Sequence, residues 1–253
     1  MITFSGVKQK LFWKGSPRSI SFDTAGMEQK LKNTAENCFV VEDHAKRIGI
    51  ANAGELTTDG KGLQVLAMVA PMTAEQLGDP TFKRDYSLKY TYKTGAMANG
   101  IASEELVIAM GKAGLIGSFG AAGLVPKRVG QAIDTIQTAL NAETYAVNLI
   151  HSPNEPALEA GAVKHFLDRE VRVVEASAFL NLTLNIVHYR VAGLSYENEN
   201  VVIKNRVIAK ISRKEVASHF MQPAPKKYLD QLLAEGKITS LQAELSAKVP
   251  MAD

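Results

Sequence analysis

The chain is poor in cysteine: Cys38 is the only one among 253 residues. A lone thiol cannot close an internal disulfide, which excludes a bridge-stapled scaffold and suits a reducing, cytoplasmic setting. No run of eighteen apolar residues occurs, so no transmembrane helix is expected. Residues 1–15 hold no continuous apolar stretch, which argues against a signal peptide. Neither charge sign dominates. The formal net charge is +3, and the Lys and Arg residues are scattered, which excludes a nucleic-acid footprint. No His/Cys/Asp/Glu group has metal-ligand spacing. Walker A and Gly-x-Ser-x-Gly sequences are also missing.

What remains is an ordinary globular composition, 46% hydrophobic and 22% charged. The length suits one large α/β domain or two small ones. Residues 1–85 are irregular and read as an accessory layer. In it, Met27–Asn37 suggests a short polar helix, 38–41 a strand, 62–70 a buried strand stopped by Pro71, and Thr73–Gly78 a single helical turn.

From residue 86 the pattern becomes regular. Short apolar runs at Ser87–Tyr92, Leu115–Phe119, Tyr145–Ile150, Val171–Ala176 and Arg206–Ile211 each precede a helical pattern. Repeated βα units imply a parallel sheet with strands buried on both faces. Ser103 before two glutamates starts one helix. Pro126 starts another, with Val129, Ile133, Ile136 and Leu140 on one face. Ser212 and Glu215 read as a capping box. Thr239–Ala247 is helical, and 249–253 reads as the approach to a further strand. Five units suit either a complete open sheet or the first five of a closed (β/α)8 barrel.

The richest stretch is Thr94–Leu124, which packs glycine and alanine densely between strand-like runs. Small residues at that density let bare backbone approach a flat or phosphorylated group. The spacing is not that of a dinucleotide fingerprint.

That stretch, with 145–153, 171–178 and 206–217, resembles the PfaD family of trans-acting enoyl reductases of polyunsaturated fatty acid and polyketide synthases. These are flavin barrels of the 2-nitropropane dioxygenase (nitronate monooxygenase) type. The resemblance implies a (β/α)8 barrel of the TIM type, of which 86–253 would supply five βα units. It implies FMN as cofactor and NAD(P)H as reductant, acting on enoyl thioesters bound to acyl carrier protein. Synthase subunits are the expected partners, and a homo-oligomer stays open. It assigns flavin contact to Gly95, Ala96 and Met97 after the first strand, to Asn148 ending the third, and to Glu175 and Lys210 on the fourth and fifth. The family's Gly-Gly-His loop and later phosphate loops have no counterpart here, so the catalytic residues are unassigned. Nitronate oxidation, or a barrel part acting by association, are the alternative functions.

From the residues alone the alternatives are plainer. Gly95–Met97 also suits a tight turn with a core methionine. Asn148 suits a strand end bonding its own loop. Lys210 in an apolar run requires an anionic partner, either Glu175 or a ligand. His151 reads as a solvent-facing loop residue, and His165, His188 and His219 fall in helical patterns.

Overall fold

The computed structural model describes residues 10–253 apart from Ala142. The leader expectation covers 1–15, of which 1–9 lie outside the described residues. The chain divides into two compact units, Met1–Gly78 and Asp79–Asp253.

The first unit is an antiparallel sheet of β1 (Phe12–Lys14), β2 (Ile20–Ser21), β3 (Cys38–Glu42), β4 (Ile48–Ala51), β5 (Glu55–Thr57) and β6 (Leu63–Val69), in the order β2-β4-β3-β6-β1-β5. Helix α1 (Thr24–Lys32) starts earlier than its sequence suggests, because Asp23 accepts the Gly26 N–H at 2.8 Å and fixes the first turn. Expected as a buried strand, β6 leaves Leu66, Met68 and Val69 exposed. The core is Trp13, Phe39, Val41 and Ala51. Trp13 is 2% exposed and donates its indole N–H to the Ala53 carbonyl at 3.0 Å. A Cβ on Gly54 (φ +130°) would stand 2.1 Å from that nitrogen, so glycine is required there. Thr73 precedes a single 3-10 turn (Ala74–Gln76), the Gln76 side chain accepting the Thr73 N–H.

The second unit opens with α2 (Pro80–Asp85) and α3 (Glu104–Lys112). It then alternates β7 (Gly117–Phe119), α4 (Pro126–Ala139), β8 (Tyr145–Ile150), α5 (Pro156–Asp168), β9 (Val173–Ser177) and α6 (Leu184–Ala192). A hairpin of β10 (Leu194–Glu197) and β11 (Asn200–Ile203) precedes β12 (Arg206–Ala209), α7 (Lys214–Phe220), α8 (Lys226–Ala234) and α9 (Ser240–Ser246). The sheet is parallel, ordered β12-β9-β8-β7. It is open, with four strands rather than five. Residues 87–92 do not form the expected strand. Ser87 takes φ +56° and Tyr92 N–H turns back to the Tyr90 carbonyl, so only Lys93 bridges the sheet, at Ile116. The tyrosines give that run β propensity, but a strand needs a partner along its length.

Register separates the two faces of the sheet. Phe119, Val147, Leu149, Val174, Ala176 and Val207 pack into the helix-covered core with Val129, Ile133 and Ile136 of α4. Each such large aliphatic side chain stabilises by about 1.5–3 kcal/mol relative to exposure. The opposite face holds Ile116, Ala146, Val173 and Ile208 over Tyr86 and Leu88. Two residues further along the strands, it carries polar groups.

The capping box at Ser212 does not form. The helix starts one residue later, with Arg213 at the cap position and no side-chain cap bond. Among the described residues, 249–253 form no strand, although Asp253 N–H reaches the Val207 carbonyl at 3.0 Å. No helix is long and apolar enough to cross a membrane among the described residues.

Candidate functional site

Glu175 sits mid-strand on β9, in register with Asn148 of β8 and Ile208 of β12, and is 0% exposed. Burying a carboxylate requires charge partners. Two are supplied. Lys93 pairs with Oε2 and also donates to the Thr94 carbonyl at 2.9 Å. Lys210 Nζ stands 3.0 Å from Oε1, but off the line of a hydrogen bond. Burial alone would raise the Glu175 pKa. The hydrogen bond and charge of Lys93, with Lys210 behind them, outweigh burial and hold it below the ordinary carboxylate range. Two ammonium groups and one carboxylate leave the cluster with a surplus positive charge. That charge lies toward Lys210, whose side chain is 59% exposed. Lys210 is therefore not the buried lysine its apolar run suggests, since it falls just past the end of β12.

Asn148 is buried, and both its amide hydrogens are used. Nδ2 donates to the Glu175 carbonyl at 3.1 Å and to Ser177 Oγ at 2.7 Å. The amide is locked across the sheet rather than to its own loop. Its remaining group, Oδ1, can only accept. On β7, the Ser118 hydroxyl is fully buried and has no hydrogen-bond partner among the described residues. A buried polar atom without a partner is rare in folded proteins.

The loop after Lys93 folds back on the loop after β7. Asn99 N–H reaches the Ala122 carbonyl at 2.8 Å, and Gly100 N–H the Gly120 carbonyl at 2.9 Å. A Cβ on Gly120 would lie 1.7 Å from the Met97 carbonyl oxygen. Most of the glycine in 111–123 thus serves the protein's own close packing, not an approach to a ligand. Gly95 differs, because a Cβ there would meet nothing within 4 Å. Met97 is 48% exposed and is not a core residue. Ala96, between them, is partly exposed on the same loop. The structure brings Lys93, Ser118, Asn148, Glu175 and Lys210 to one face of the sheet, with the Gly95 loop following Lys93. Lys93 and Ser118 were not legible as site residues. The available signal was the need of a buried Glu175 for more charge than one half-exposed lysine provides.

His151 does not face solvent freely. Its Nδ1 lies 2.7 Å from Oε2 of buried Glu159, whose other oxygen accepts from the Thr183 hydroxyl. The imidazole stacks on Phe179, ring centroids 5.2 Å apart. A cavity of about 250 Å³ at the C-terminal end of β8 is lined by His151, Asn148, Glu159, Leu124, Val129 and Phe166, among others. A larger cavity of about 470 Å³ lies at the opposite, N-terminal ends of the strands, among Tyr86, Tyr145, Arg172 and Arg206. Parallel α/β sheets place their chemistry at the C-terminal strand ends. The smaller cavity lies at that end, but Val129, Leu149 and Phe166 of the helix-covered core line it, whereas Lys93, Ser118, Glu175 and Lys210 do not.

Residues 13–71 match the family described as fatty acid synthase subunit PfaD N-terminal domain. The chain is 52% identical over 187 residues to one of the polyunsaturated fatty acid synthase subunits of Thraustochytrium sp., an overlap of 74% of this chain and 12% of that protein. It is 46% identical over 186 residues to the polyketide biosynthesis protein PksE of Bacillus subtilis, covering 73% of this chain and 24% of PksE. Among solved structures it resembles the enoyl reductase domain of MlnA from the macrolactin biosynthesis cluster of Bacillus amyloliquefaciens. The TM-score is 0.69 at 37% identity, over 72% of this chain and 42% of that one. The chain thus spans less than half the length of each of these relatives. Residues 13–71 thus carry a PfaD N-terminal domain, and the parallel α/β unit is similar to that enoyl reductase domain.

Proposed function

We propose that the chain forms part of an FMN-dependent enoyl reductase, in which the open parallel sheet is a segment of a (β/α)8 barrel. The reaction is NAD(P)H-driven reduction of 2-enoyl thioesters carried on acyl carrier protein during polyunsaturated fatty acid or polyketide assembly. The observation that carries this reading is the row on one sheet face: an open Gly95, a buried Ser118 hydroxyl lacking a partner, an acceptor-only Asn148 and an outward Lys210 charge. These residues fit a flat heterocycle with N–H and carbonyl edges, as FMN has. When bound, FMN supplies hydride transfer between nicotinamide and substrate.

The chain's own residues then bind and orient. Gly95, Ala96 and Met97 offer main chain and a polarisable thioether to a ring face. Asn148 Oδ1 accepts from an N–H edge. Lys210 favours electron-rich oxygen, and Glu175 fixes its position. Lys93 neutralises Glu175, so that Lys210 keeps a charge to offer.

The test is FMN titration of the chain by quenching of flavin fluorescence, followed by NAD(P)H consumption with a crotonyl thioester and with a nitroalkane. Flavin binding weakened by Lys210→Met, with consumption only on the thioester, supports the reading. Turnover of nitroalkane alone would assign nitronate oxidation instead. No flavin binding by the polypeptide containing this chain would overturn it.

A further inference from the structure

We infer that the loop after β12, residues 210–214, docks the phosphodiester by which the thioester arm hangs from acyl carrier protein; this rests on the enoyl-reductase reading. Five loops leave the C-terminal side of the sheet: 94–103 after Lys93, 120–125 after β7, 151–155 after β8, 178–183 after β9 and 210–213 after β12. The first, second and fourth carry no ionisable side chain, and the third carries His151 and Glu155. The fifth carries Lys210 and Arg213, and Lys214 follows as the first residue of α7. In the first turns of the neighbouring helices, Glu104 and Glu105 of α3 balance Lys127 and Arg128 of α4, and Arg128 is bound to Glu104. Net positive charge at this end is therefore gathered on one loop.

The fold leaves that charge free to meet an anion. Lys210 shares Glu175 with Lys93, so one of the two ammonium charges has no carboxylate of its own. Arg213 faces only Glu215, at 3.5 Å and with both side chains exposed, a pair that solvent screens. Lys214 is exposed and has no ion-pair partner among the described residues. Location ties the loop to the candidate site. Lys210 N–H reaches the Ala176 carbonyl at 2.9 Å, so the loop starts beside the end of β9, on the row that holds Glu175 and Asn148. An arm anchored at Arg213 and Lys214 runs inward past Lys210 to that row. Leu180, exposed on the loop after the adjacent β9, offers apolar surface to the methyl groups that flank the arm's phosphate. A guanidinium fork and an ammonium point charge both suit a phosphodiester. A free dinucleotide would need a cleft that buries it, whereas these cations stand on an open rim, where a protein-tethered arm arrives.

The experiment measures kcat and KM for FMN-loaded enzyme containing the full chain, unmodified and with Arg213→Glu and Lys214→Glu combined. The substrates are crotonyl-acyl carrier protein and crotonyl-N-acetylcysteamine, a thioester without phosphate. The expected result is a rise in KM for the carrier-bound thioester on the order of 10-fold, with kcat unchanged. KM for the phosphate-free thioester and for reduced nicotinamide should stay the same. Added salt should raise the carrier KM of the unmodified enzyme and leave that of the variant nearly flat. Arg213→Gln with Lys214→Gln should show the same split at smaller size. An unchanged carrier KM, or an equal rise for both thioesters, overturns the inference and leaves the reductase reading standing. A rise confined to reduced nicotinamide also overturns it, giving the loop to the dinucleotide's phosphates. If the unmodified, FMN-loaded enzyme reduces neither thioester, both readings fall together.

Discussion

The two units treat buried polarity in opposite ways. In the first, the buried residues include Trp13, Cys38, Phe39, Val41, Ile50 and Ala51, and its charges stay at the surface. In the second, Ser118, Asn148, Glu159, Glu175, Ser177, Arg190 and Asn205 all lie inside. Burying such groups costs free energy unless each atom is paired. Within the second unit they fall into two kinds. Arg190 is satisfied on every side, by the Asp253 carboxylate at 3.0 and 3.2 Å and by the carbonyls of Asn205 and Pro250. It ties structure together at the N-terminal strand ends. Ser118 Oγ has no hydrogen-bond partner among the described residues, and Glu175 Oε1 is met only by the half-exposed Lys210 ammonium. The incomplete pairing lies where the sheet presents its charged row, so unsatisfied polarity, more than polarity itself, marks the site.

Substitutions can break this contrast. Trp13→Ala should be the most damaging, at about 3–5 kcal/mol, because the cavity left among glycines cannot refill. Urea unfolding followed by far-UV circular dichroism reads it. Glu175→Gln should cost about 3 kcal/mol in the second unit by leaving Lys93 without its counter-charge. Its loss should also depend on pH. A depressed carboxylate contributes stability that is present above the unfolded value and disappears as pH falls through the folded one. The gap between unmodified chain and Glu175→Gln should therefore close on acidification below the ordinary carboxylate range. A gap independent of pH would show that the ion pair is not its source. Gly120→Ala should cost about 1–3 kcal/mol, since the Met97 carbonyl must move. Gly95→Ala should leave stability near its starting value and weaken flavin binding, because its Cβ meets nothing in the protein. Lys226→Ala removes an exposed one-turn pair with Asp230 and should change stability by less than about 0.5 kcal/mol.

Much of the second unit was legible because burial and periodicity coincide in it. β8 spans the residues its apolar run marks, and the α4 face of Val129, Ile133, Ile136 and Leu140 is buried as spaced. The run at 87–92 misled because tyrosines at alternate positions mimic a strand, whereas pairing depends on a neighbour that local sequence does not reveal. The hairpin β10–β11 and helix α8 escaped notice because their apolar residues are few and interrupted by charge. At the site, Glu175 and Lys210 were readable as a pair. Lys93 was not, since it lies 82 positions away in sequence from the glutamate it neutralises. Glycine in 111–123 was readable as a need for closeness, but sequence could not say that the close neighbours are the chain's own Leu140, Lys89, Val107, Met97 and Asn99.

The glycine-walled indole of Trp13 also partitions the chain optically. It is the only tryptophan, and the seven tyrosines all follow residue 85. Emission excited at the red edge of indole absorption therefore reports the antiparallel unit alone, while tyrosine bands report the parallel one. Native sequence supplies a separate spectroscopic channel for each, with no label to attach.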